Sequence, residues 1–127
     1  MNTRILAAIT LGIALTLTAR AQTTNSWTGG NDKWESTNNW SGLVAPSTTD
    51  SADLITNAGN NTVTIDNATP SANLTINNLT LNANTLQLTN PGTNSTLHIL
   101  NQLTLNTGAT FINLGGTLLV TGPAQVN

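Results

Sequence analysis

The chain has 127 residues and little charge: three residues are Lys or Arg and five are Asp or Glu. Beyond position 21, Lys33 is the one basic side chain in the sequence, which leaves no positive surface to hold nucleic-acid phosphates. Cysteine is absent, and this excludes disulfide bridges, thiolate catalysis and cysteine-ligated metals. We therefore expect no nucleic-acid partner and no cofactor.

The segment 1–21 has the organisation of a secretory signal peptide. Arg4 precedes an uncharged apolar run at 5–17, and Ala19 and Ala21 fit the small-residue rule for cleavage. The apolar run is shorter than the roughly 20 residues needed to cross a bilayer. The sequence thus predicts a cleaved signal peptide at 1–21 and no transmembrane segment in the mature chain. The location is then secreted, or associated with the cell surface or outer membrane.

The next segment, 22–58, contains the three tryptophans of the chain in "SWTGGNDKWESTNNW". The residues "GGND" tolerate positive φ and predict a four-residue hairpin loop that sets Trp27 opposite Trp34. Directly after it, "STNNW" brings Trp40 back over the pair. We predict that the segment is an N-terminal cap closing the end of a repeat domain. The alternative is that Trp27, Trp34 and Trp40 form a ligand-binding platform on which sugar rings stack.

Acidic side chains in and after this segment have two interpretations. Asp50, Asp53 and Asp66 are three carboxylates in a short stretch of the sequence, and paired carboxylates cleave glycosides or contribute to calcium sites. They form no dense D-x-D-x-D array, so turn capping and solubility are the preferred interpretation. Asp32 and Glu35 flank Lys33 and are expected to be exposed charges at the rim of the hairpin, so the sequence predicts no metal site.

From about residue 62 onward a short phrase with apolar residues at alternate positions recurs. This period-2 pattern predicts strands with one buried face, and the intervening Asn, Gly and Thr favour turns. The strands are short and their inward residues are almost all aliphatic, which favours a β-solenoid over a β-sandwich. The phrases are "TVTI", "NLTI", "NLTL", "TLQL", "TLHI", "QLTL", "FINL" and "TLLV".

The spacing of the leucines predicts coils of about 20–24 residues that stack in register. We predict a right-handed parallel β-helix over 59–127, with a β-sandwich as the alternative and with Asn side chains bonded from coil to coil at the corners. The leucine pairs expected one coil apart are Leu74 with Leu97, Leu79 with Leu103, and Leu97 with Leu118.

Several polar residues are predicted to point outward from these strands. His98 lies between two inward positions, and a lone outward His is not expected to bind metal. Thr64, Thr75, Thr80 and Thr104 occupy the middle positions of their phrases. Thr is a good strand former with a polar face, and a flat ladder of such residues also suits weak contact with an ordered polysaccharide.

The tryptophan segment and the strand phrases together resemble a known family. The pattern W-T-G-G-x-D-x-W-x-x-x-x-N-W-S-G, followed by P and by D-x-A-x-L and then by "NLTINNLTL" and "GGTLLVTG", resembles the N-terminal portion of bacterial exported β-helix proteins with autotransporter-associated β-strand repeats. Some of those proteins end in PEP-CTERM-type sorting tails. The resemblance covers about 25–127 and implies a surface-exposed or secreted passenger without catalytic residues to transfer.

Three functions follow as expectations. The first is a non-enzymatic structural or adhesive module, adhesin-like, at the bacterial cell surface, with polysaccharide or surface matrix as partner. The second is a carbohydrate-binding module that uses the three Trp. The third is a fragment of a polysaccharide lyase or hydrolase. The printed chain ends at "VTGPAQVN", so we also expect an uncapped last coil and either a short or a truncated family member.

Overall fold

The computed structural model describes residues 23–89 and 96–127, so the predicted signal peptide lies outside the described residues. Within those ranges no helix is long and apolar enough to pass through a membrane. The strands are β1 (Thr23–Ser26), β2 (Asp32–Lys33), β3 (Asp50–Ile55), β4 (Thr62–Ile65), β5 (Thr75–Leu81), β6 (Thr85–Thr89), β7 (Thr96–Leu105), β8 (Thr110–Leu114), β9 (Thr117–Val120) and β10 (Ala124–Val126), and two short 3₁₀ turns span Thr37–Asn39 and Ser71–Asn73.

The strands form two sheets, and every pair of neighbouring strands in the described residues is parallel. The long sheet has the order β1-β3-β5-β7-β10, with β9 also paired to β7, and the short sheet has the order β2-β4-β6-β8. The first eight strands alternate between the sheets, so the chain winds as a β-solenoid of about four turns. This confirms the predicted parallel β-helix and excludes the β-sandwich, whose sheets are antiparallel.

The pairing register confirms the predicted leucine spacings. Leu79 pairs with Leu103, and Leu97 pairs with Leu118. For the third predicted pair, Leu74 and Leu97, the evidence is the pairing of the next residues along the chain. Thr75, which follows Leu74, pairs with His98, which follows Leu97. Since in-register stacking places like residues above like, the spacing of the apolar phrases in the sequence is the length of one coil in the fold.

The first coil is longer than predicted, because the tryptophan segment is part of it. Asp32 of β2 pairs with Val63 of β4, whereas in the next coil Val63 pairs with Leu86 of β6 after a shorter stretch of chain. Strands β1, β2 and β3 lie within the segment 22–58 that the sequence assigned to a cap, and they are strands of the two sheets. That segment therefore supplies the first part of the solenoid as well as the tryptophan cluster.

The core consists of aliphatic ladders that run from coil to coil. On the short sheet Val63, Leu86 and Phe111 are in register, and Val63 and Leu86 are almost fully buried. On the long sheet Leu79 and Leu103 form a second ladder. A fully buried aliphatic side chain stabilises the fold by about 1.5–3 kcal/mol. A single coil has no neighbour to bury these side chains against, so the stability comes from stacking.

Asparagine side chains bond adjacent coils at the corners, as the sequence predicted. Asn84 is buried; its Nδ2 donates to the carbonyl oxygen of Asn57 and its Oδ1 accepts from the backbone N–H of Asn61, each over 2.8 Å. At the register irregularity within β5, Asn78 donates to the carbonyl oxygen of Ser51 in β3. Most of the acceptors are backbone carbonyls of the preceding coil rather than other side-chain amides, because each corner leaves carbonyls without a sheet partner.

Candidate functional site

The backbone of the tryptophan segment differs from the predicted hairpin. Trp27 forms an antiparallel bridge with Trp40, and the backbone N–H of Trp34 donates to the carbonyl oxygen of Thr64 over 2.8 Å. The predicted pairing of Trp27 with Trp34 is therefore wrong. The reason is that β2 pairs with β4 in parallel, so the two glycines of "GGND" turn the chain from one sheet to the other instead of reversing it.

The three indole rings pack as one group with Trp40 in the centre. The ring centroids of Trp27 and Trp40 are 5.1 Å apart at an interplanar angle of 79°, and those of Trp34 and Trp40 are 5.2 Å apart at 76°. Edge-to-face pairs of this kind contribute about 0.5–1.5 kcal/mol beyond their area burial. The rings join the aliphatic ladders in one continuous core.

Each indole N–H has a backbone carbonyl acceptor. Trp27 donates to Gly30 over 3.1 Å, Trp34 donates to Asn73 over 2.8 Å, and Trp40 donates to the carbonyl oxygen of Trp34 over 2.8 Å. Trp34 thereby connects the first coil to the turn that precedes β5. Satisfied N–H groups allow complete burial of these amphipathic rings without an unpaired donor.

Burial bears directly on the two interpretations of the tryptophans. The exposed fractions of Trp27, Trp34 and Trp40 are 2%, 0% and 0%. A sugar ring stacks on an aromatic face that solvent reaches, and these side chains present none. The arrangement favours a structural role in the first coil, and ligand binding by these residues stays a prediction that requires the cluster to open.

Asp50 and Asp53 come together inside the first two coils. A β-bulge between β1 and β3 changes the register after Asp50, and both side chains are buried. Asp50 accepts a hydrogen bond from the backbone N–H of Ser47, whereas neither carboxyl oxygen of Asp53 has a hydrogen-bond partner among the described residues. Burial, with a smaller contribution from the Asp50 carboxylate, raises the pKa of Asp53 to about 8.

Asp66, the third acid of the predicted set, lies apart from that pair. Its carboxylate forms an ion pair with the ammonium of Lys33 over 2.8 Å, and the Lys33 hydrogen bond lowers the pKa of Asp66. The described residues contain no group of three or more His, Asp or Glu side chains arranged to hold a metal ion. Glycoside hydrolysis requires two carboxylates on either side of a bound sugar, and Asp53, at 0% exposure, has no open space beside it for one.

The remaining charges form a polar rim around the first two coils. Lys33 and Asp32 are exposed, as predicted, while Glu35 is half-buried and accepts a hydrogen bond from the Thr69 hydroxyl over 2.8 Å. A hydrogen bond from the Lys33 backbone N–H lowers the pKa of Asp32, whose other oxygen accepts from the Asn39 amide. These charges are used in contacts within the chain.

The predicted outward residues do point outward, but they do not make one ladder. His98 lies between the fully buried Leu97 and Ile99, and its Nε2 is 2.6 Å from the Thr121 hydroxyl. Thr80 and Thr104 are in register, whereas Thr64 pairs with Gln87 and Thr75 pairs with His98. The four threonines thus lie on three ladders, and only Thr80 and Thr104 share one.

A threonine ladder that the sequence reasoning missed runs along the short sheet. Thr62 pairs with Thr85 and Thr85 pairs with Thr110, each one position before an inward member of the Val63, Leu86 and Phe111 ladder. The signal that identifies it is the recurrence, at nearly equal intervals of one coil, of a threonine that begins a strand. We refer to Thr62, Thr85 and Thr110 as the short-sheet threonine ladder.

The fold and the core define a class of protein: a parallel β-solenoid whose first coil is filled by tryptophan and whose core continues as aliphatic ladders. No family model, curated protein or solved structure matches this chain significantly.

Proposed function

We propose that this chain is an exported, non-enzymatic β-helix module with a structural or adhesive role at the bacterial cell surface. The observation that carries the proposal is the short-sheet threonine ladder on an in-register solenoid, an ordered and uncharged polar surface. The signal-peptide pattern at 1–21 and the resemblance to exported β-helix proteins with autotransporter-associated β-strand repeats support export.

The mechanism is multivalent contact with a repeating partner. Successive strands lie about 4.7–4.9 Å apart, so the hydroxyls of the ladder recur at a fixed spacing. The bonds from the Asn84 and Asn78 side chains to the preceding coil hold this spacing. Weak hydrogen bonds from several hydroxyls to one ordered polysaccharide add up when the surface is rigid.

Retention on insoluble polysaccharide tests the adhesive role. We expect the chain to co-sediment with at least one of cellulose, chitin and peptidoglycan, and Thr85→Lys to lower the retained fraction by disturbing the ladder. Thr107→Lys, in the exposed turn between β7 and β8, is the matched control and should bind as the parent does. Loss of binding in both variants, or no retention on any of the three matrices, contradicts the role.

Export is tested by the N-terminus of the mature protein. Mass spectrometry of the chain recovered from the outside of expressing cells should give Gln22 as the first residue, because Ala19 and Ala21 define the cleavage site. A chain that stays inside the cell with Met1 intact contradicts export.

The second candidate function is carbohydrate binding by the tryptophan cluster. Near-complete burial of Trp27, Trp34 and Trp40 counts against it. Titration of soluble glycans against tryptophan fluorescence separates the two functions: buried rings emit at short wavelength, and no sugar should change that emission. A saturable red shift or quenching would favour the binding module.

The third candidate is a polysaccharide lyase or hydrolase, which rests on fold analogy alone. Lyases acting on acidic polymers use cationic groups, and beyond position 21 the sequence has only Lys33, which is paired with Asp66. Incubation with pectin- and alginate-type polymers should release no reducing or unsaturated ends, and their appearance would replace our proposal.

A further inference from the structure

The buried carboxyl group of Asp53 lies beside a side chain that is able to donate a hydrogen bond to it. Asp53 on β3 is in register with Asn25 on β1 and with Leu79 on β5. Asn25 and Asp53 are both buried, at 1% and 0% exposure, so both side chains lie on the inward face of the long sheet. Neighbouring strands are about 4.7–4.9 Å apart, so a rotation of the Asn25 side chain brings its amide within hydrogen-bonding distance of the Asp53 carboxyl group.

The Asn25 amide is bonded instead to the loop that follows Trp40. Oδ1 of Asn25 accepts from the backbone N–H of Gly42 over 3.1 Å, and Nδ2 donates to the carbonyl oxygen of Val44 over 3.1 Å. We refer to residues 42–44 as the Asn25-bound loop. The same amide therefore holds this loop and is the donor within reach of Asp53.

The Asn25-bound loop has an unfavourable backbone conformation. Leu43 has a φ of 55°, in the left-handed region, which is unfavourable for a residue that carries a side chain. Leu43 and Val44 are 67% and 49% exposed, so burial of these apolar side chains contributes little to holding the loop. The conformation therefore depends on hydrogen bonds, which are the two to Asn25 and one from the Leu43 N–H to the Trp40 carbonyl oxygen.

Ionisation of Asp53 changes the preferred partner of the Asn25 amide. Within the described residues, Asp50 is the titratable group whose charge acts on Asp53. Burial raises the pKa of Asp50, and the Ser47 N–H and the Asn25 amide act against that increase. The segment 42–49 contains no charged residue, so it offers no cation to the Asp53 carboxylate. Hydrogen bonds to a charged group are roughly twice as strong as neutral ones, and the carboxylate therefore competes with the loop carbonyl for the amide.

We propose that ionisation of Asp53 transfers the Asn25 amide from the loop to the Asp53 carboxylate and thereby releases residues 42–44. The Asp53 proton passes to solvent, Nδ2 of Asn25 exchanges the Val44 carbonyl oxygen for the carboxylate, and the Gly42 N–H bonds to water. The loop that presents Leu43 and Val44 is thus fixed at low pH and released at high pH. This pH-sensitive device does not depend on the proposed adhesive role.

The direction of the pH dependence follows from the proton affinities of the two states. With the loop bonded, the pKa of Asp53 is about 8. With Asn25 donating to the carboxylate the pKa is lower, because a hydrogen bond to the charged form favours that form. The released state binds fewer protons, so the ratio of released to bonded loop rises by up to tenfold per pH unit as pH approaches 8. Above that pH both states are ionised, and the ratio becomes constant.

Hydrogen exchange of the full chain, followed by NMR between about pH 6 and pH 9 and corrected for the intrinsic effect of pH on exchange, tests the release. We expect the protection of the Gly42 N–H to fall by about tenfold or more, and the signals of the Asn25 side-chain amide to shift over the same pH range. The Ser41 N–H donates to the Ser26 carbonyl oxygen and does not use the Asn25 amide. It is the internal control and should keep its protection.

Two variants identify the group responsible. Asp53→Leu should keep the protection of Gly42 constant with pH, whereas Asp66→Asn should behave as the parent, because Asp66 forms an ion pair at the rim. The shift of the Asn25 amide in the parent chain needs no substitution, so the test holds even where Asp53→Leu does not fold. Constant protection of Gly42 in the parent, an equal fall in Asp53→Leu, or a loss of protection shared by Ser41 would each overturn the proposal.

Discussion

At the residue scale the most unusual feature is the carboxyl group of Asp53, an ionisable group that is fully buried. Asp53 is in register with Asn25 of the coil before it and Leu79 of the coil after it. The Asn25 side chain is used by the loop backbone, because it accepts from the Gly42 N–H and donates to the Val44 carbonyl oxygen. Leu79 has no polar side-chain group to offer Asp53. Within 23–89 and 96–127 the Asp53 carboxyl group has no hydrogen-bond partner, and burial of its charged form is strongly unfavourable.

We predict that the chain loses stability as pH rises from 5 to 7. The pKa of Asp53 is about 8 in the folded chain and near 3.8 when unfolded, so the folded state holds the extra proton. The contribution of protonated Asp53 to the free energy of unfolding is fully present below pH 4 and is lost as pH rises through 8. Thermal unfolding should show a decrease of about 1.4 kcal/mol per pH unit from this group.

Two variants identify the group responsible. Asp53→Leu matches Leu79 and Leu103 in the same ladder and should remove the slope while raising stability at pH 7. Asp66→Asn should leave the slope unchanged, because Lys33 lowers the pKa of Asp66 and this group titrates below the window. A slope that persists in Asp53→Leu would show that another group causes it.

The central tryptophan is the second prediction at this scale. Trp40 contacts both other rings and donates to the Trp34 carbonyl oxygen. Trp40→Ala should lower the free energy of unfolding by about 3–5 kcal/mol and shift the remaining emission to longer wavelength. Chemical denaturation checks the loss, and the exposed Leu43→Ala is a control that should cost less than about 0.5 kcal/mol.

At the scale of elements, the corners decide how the strands stack. A strand fixes the register with its neighbours through its own backbone, but a corner leaves backbone groups that only a side chain or a preceding coil can satisfy. Asn84 does this for Asn57 and Asn61. Its amide replaces the hydrogen bonds that the sheet cannot supply where the chain turns toward β6.

Asn84→Ala should therefore destabilise the fold by about 2–3 kcal/mol, since it leaves buried backbone groups unpaired. Asn67→Ala is the control, because Asn67 lies in an exposed turn, and it should change stability by less than about 0.5 kcal/mol. Equal effects of the two substitutions in chemical denaturation would contradict the corner assignment.

Close stacking of the last two strands gives a further prediction. A Cβ at Gly122, between β9 and β10, would overlap the carbonyl oxygen of Asn101 in β7, whereas a Cβ at Gly30 would make only an ordinary contact with Asn61 Oδ1, at 4.0 Å. Gly122→Ala should loosen β9 and β10 and cost about 1–3 kcal/mol. Hydrogen exchange should quicken in those strands alone, and Gly30→Ala should leave exchange there unchanged.

At the scale of the whole molecule, the first and last coils of the described residues differ in charge. All formally charged side chains lie at or before Asp66, and the first coil is filled by tryptophan, while the last described coil has no Asp, Glu, Lys or Arg. Because each coil contacts only its neighbours, stability is the sum of local interfaces. A change at one end is therefore not transmitted to the other.

Deletion of 117–127 tests this independence. The deletion removes β9 and β10, which pair only with β7 in the described residues, and it should lower the free energy of unfolding by roughly 3 kcal/mol through lost burial. The emission maximum of the three tryptophans should stay that of the full chain. A red-shifted emission would show that the coils are coupled over the length of the solenoid.

The sequence by itself determined the fold class and the register of the repeats. Alternating Leu, Ile and Thr over short phrases specifies a strand with one buried face, and the leucines spaced one coil apart in the sequence lie on the strands that pair. The fold class and the register both follow from the alternation of apolar residues, because the same alternation recurs in each coil.

Only the tertiary structure decided the contacts of residues that have no counterpart in the repeated phrases. The segment "GGND" is compatible with a hairpin and with a corner between two sheets. Because β2 pairs with β4 in parallel, the segment forms the corner, and Trp27 pairs with Trp40. The bulge after Asp50 likewise placed Asp53 inside the core. The spacing of a repeated phrase predicts which strands pair. The contacts of a residue outside the repeats depend on which distant strands pair, and the local sequence does not contain that information.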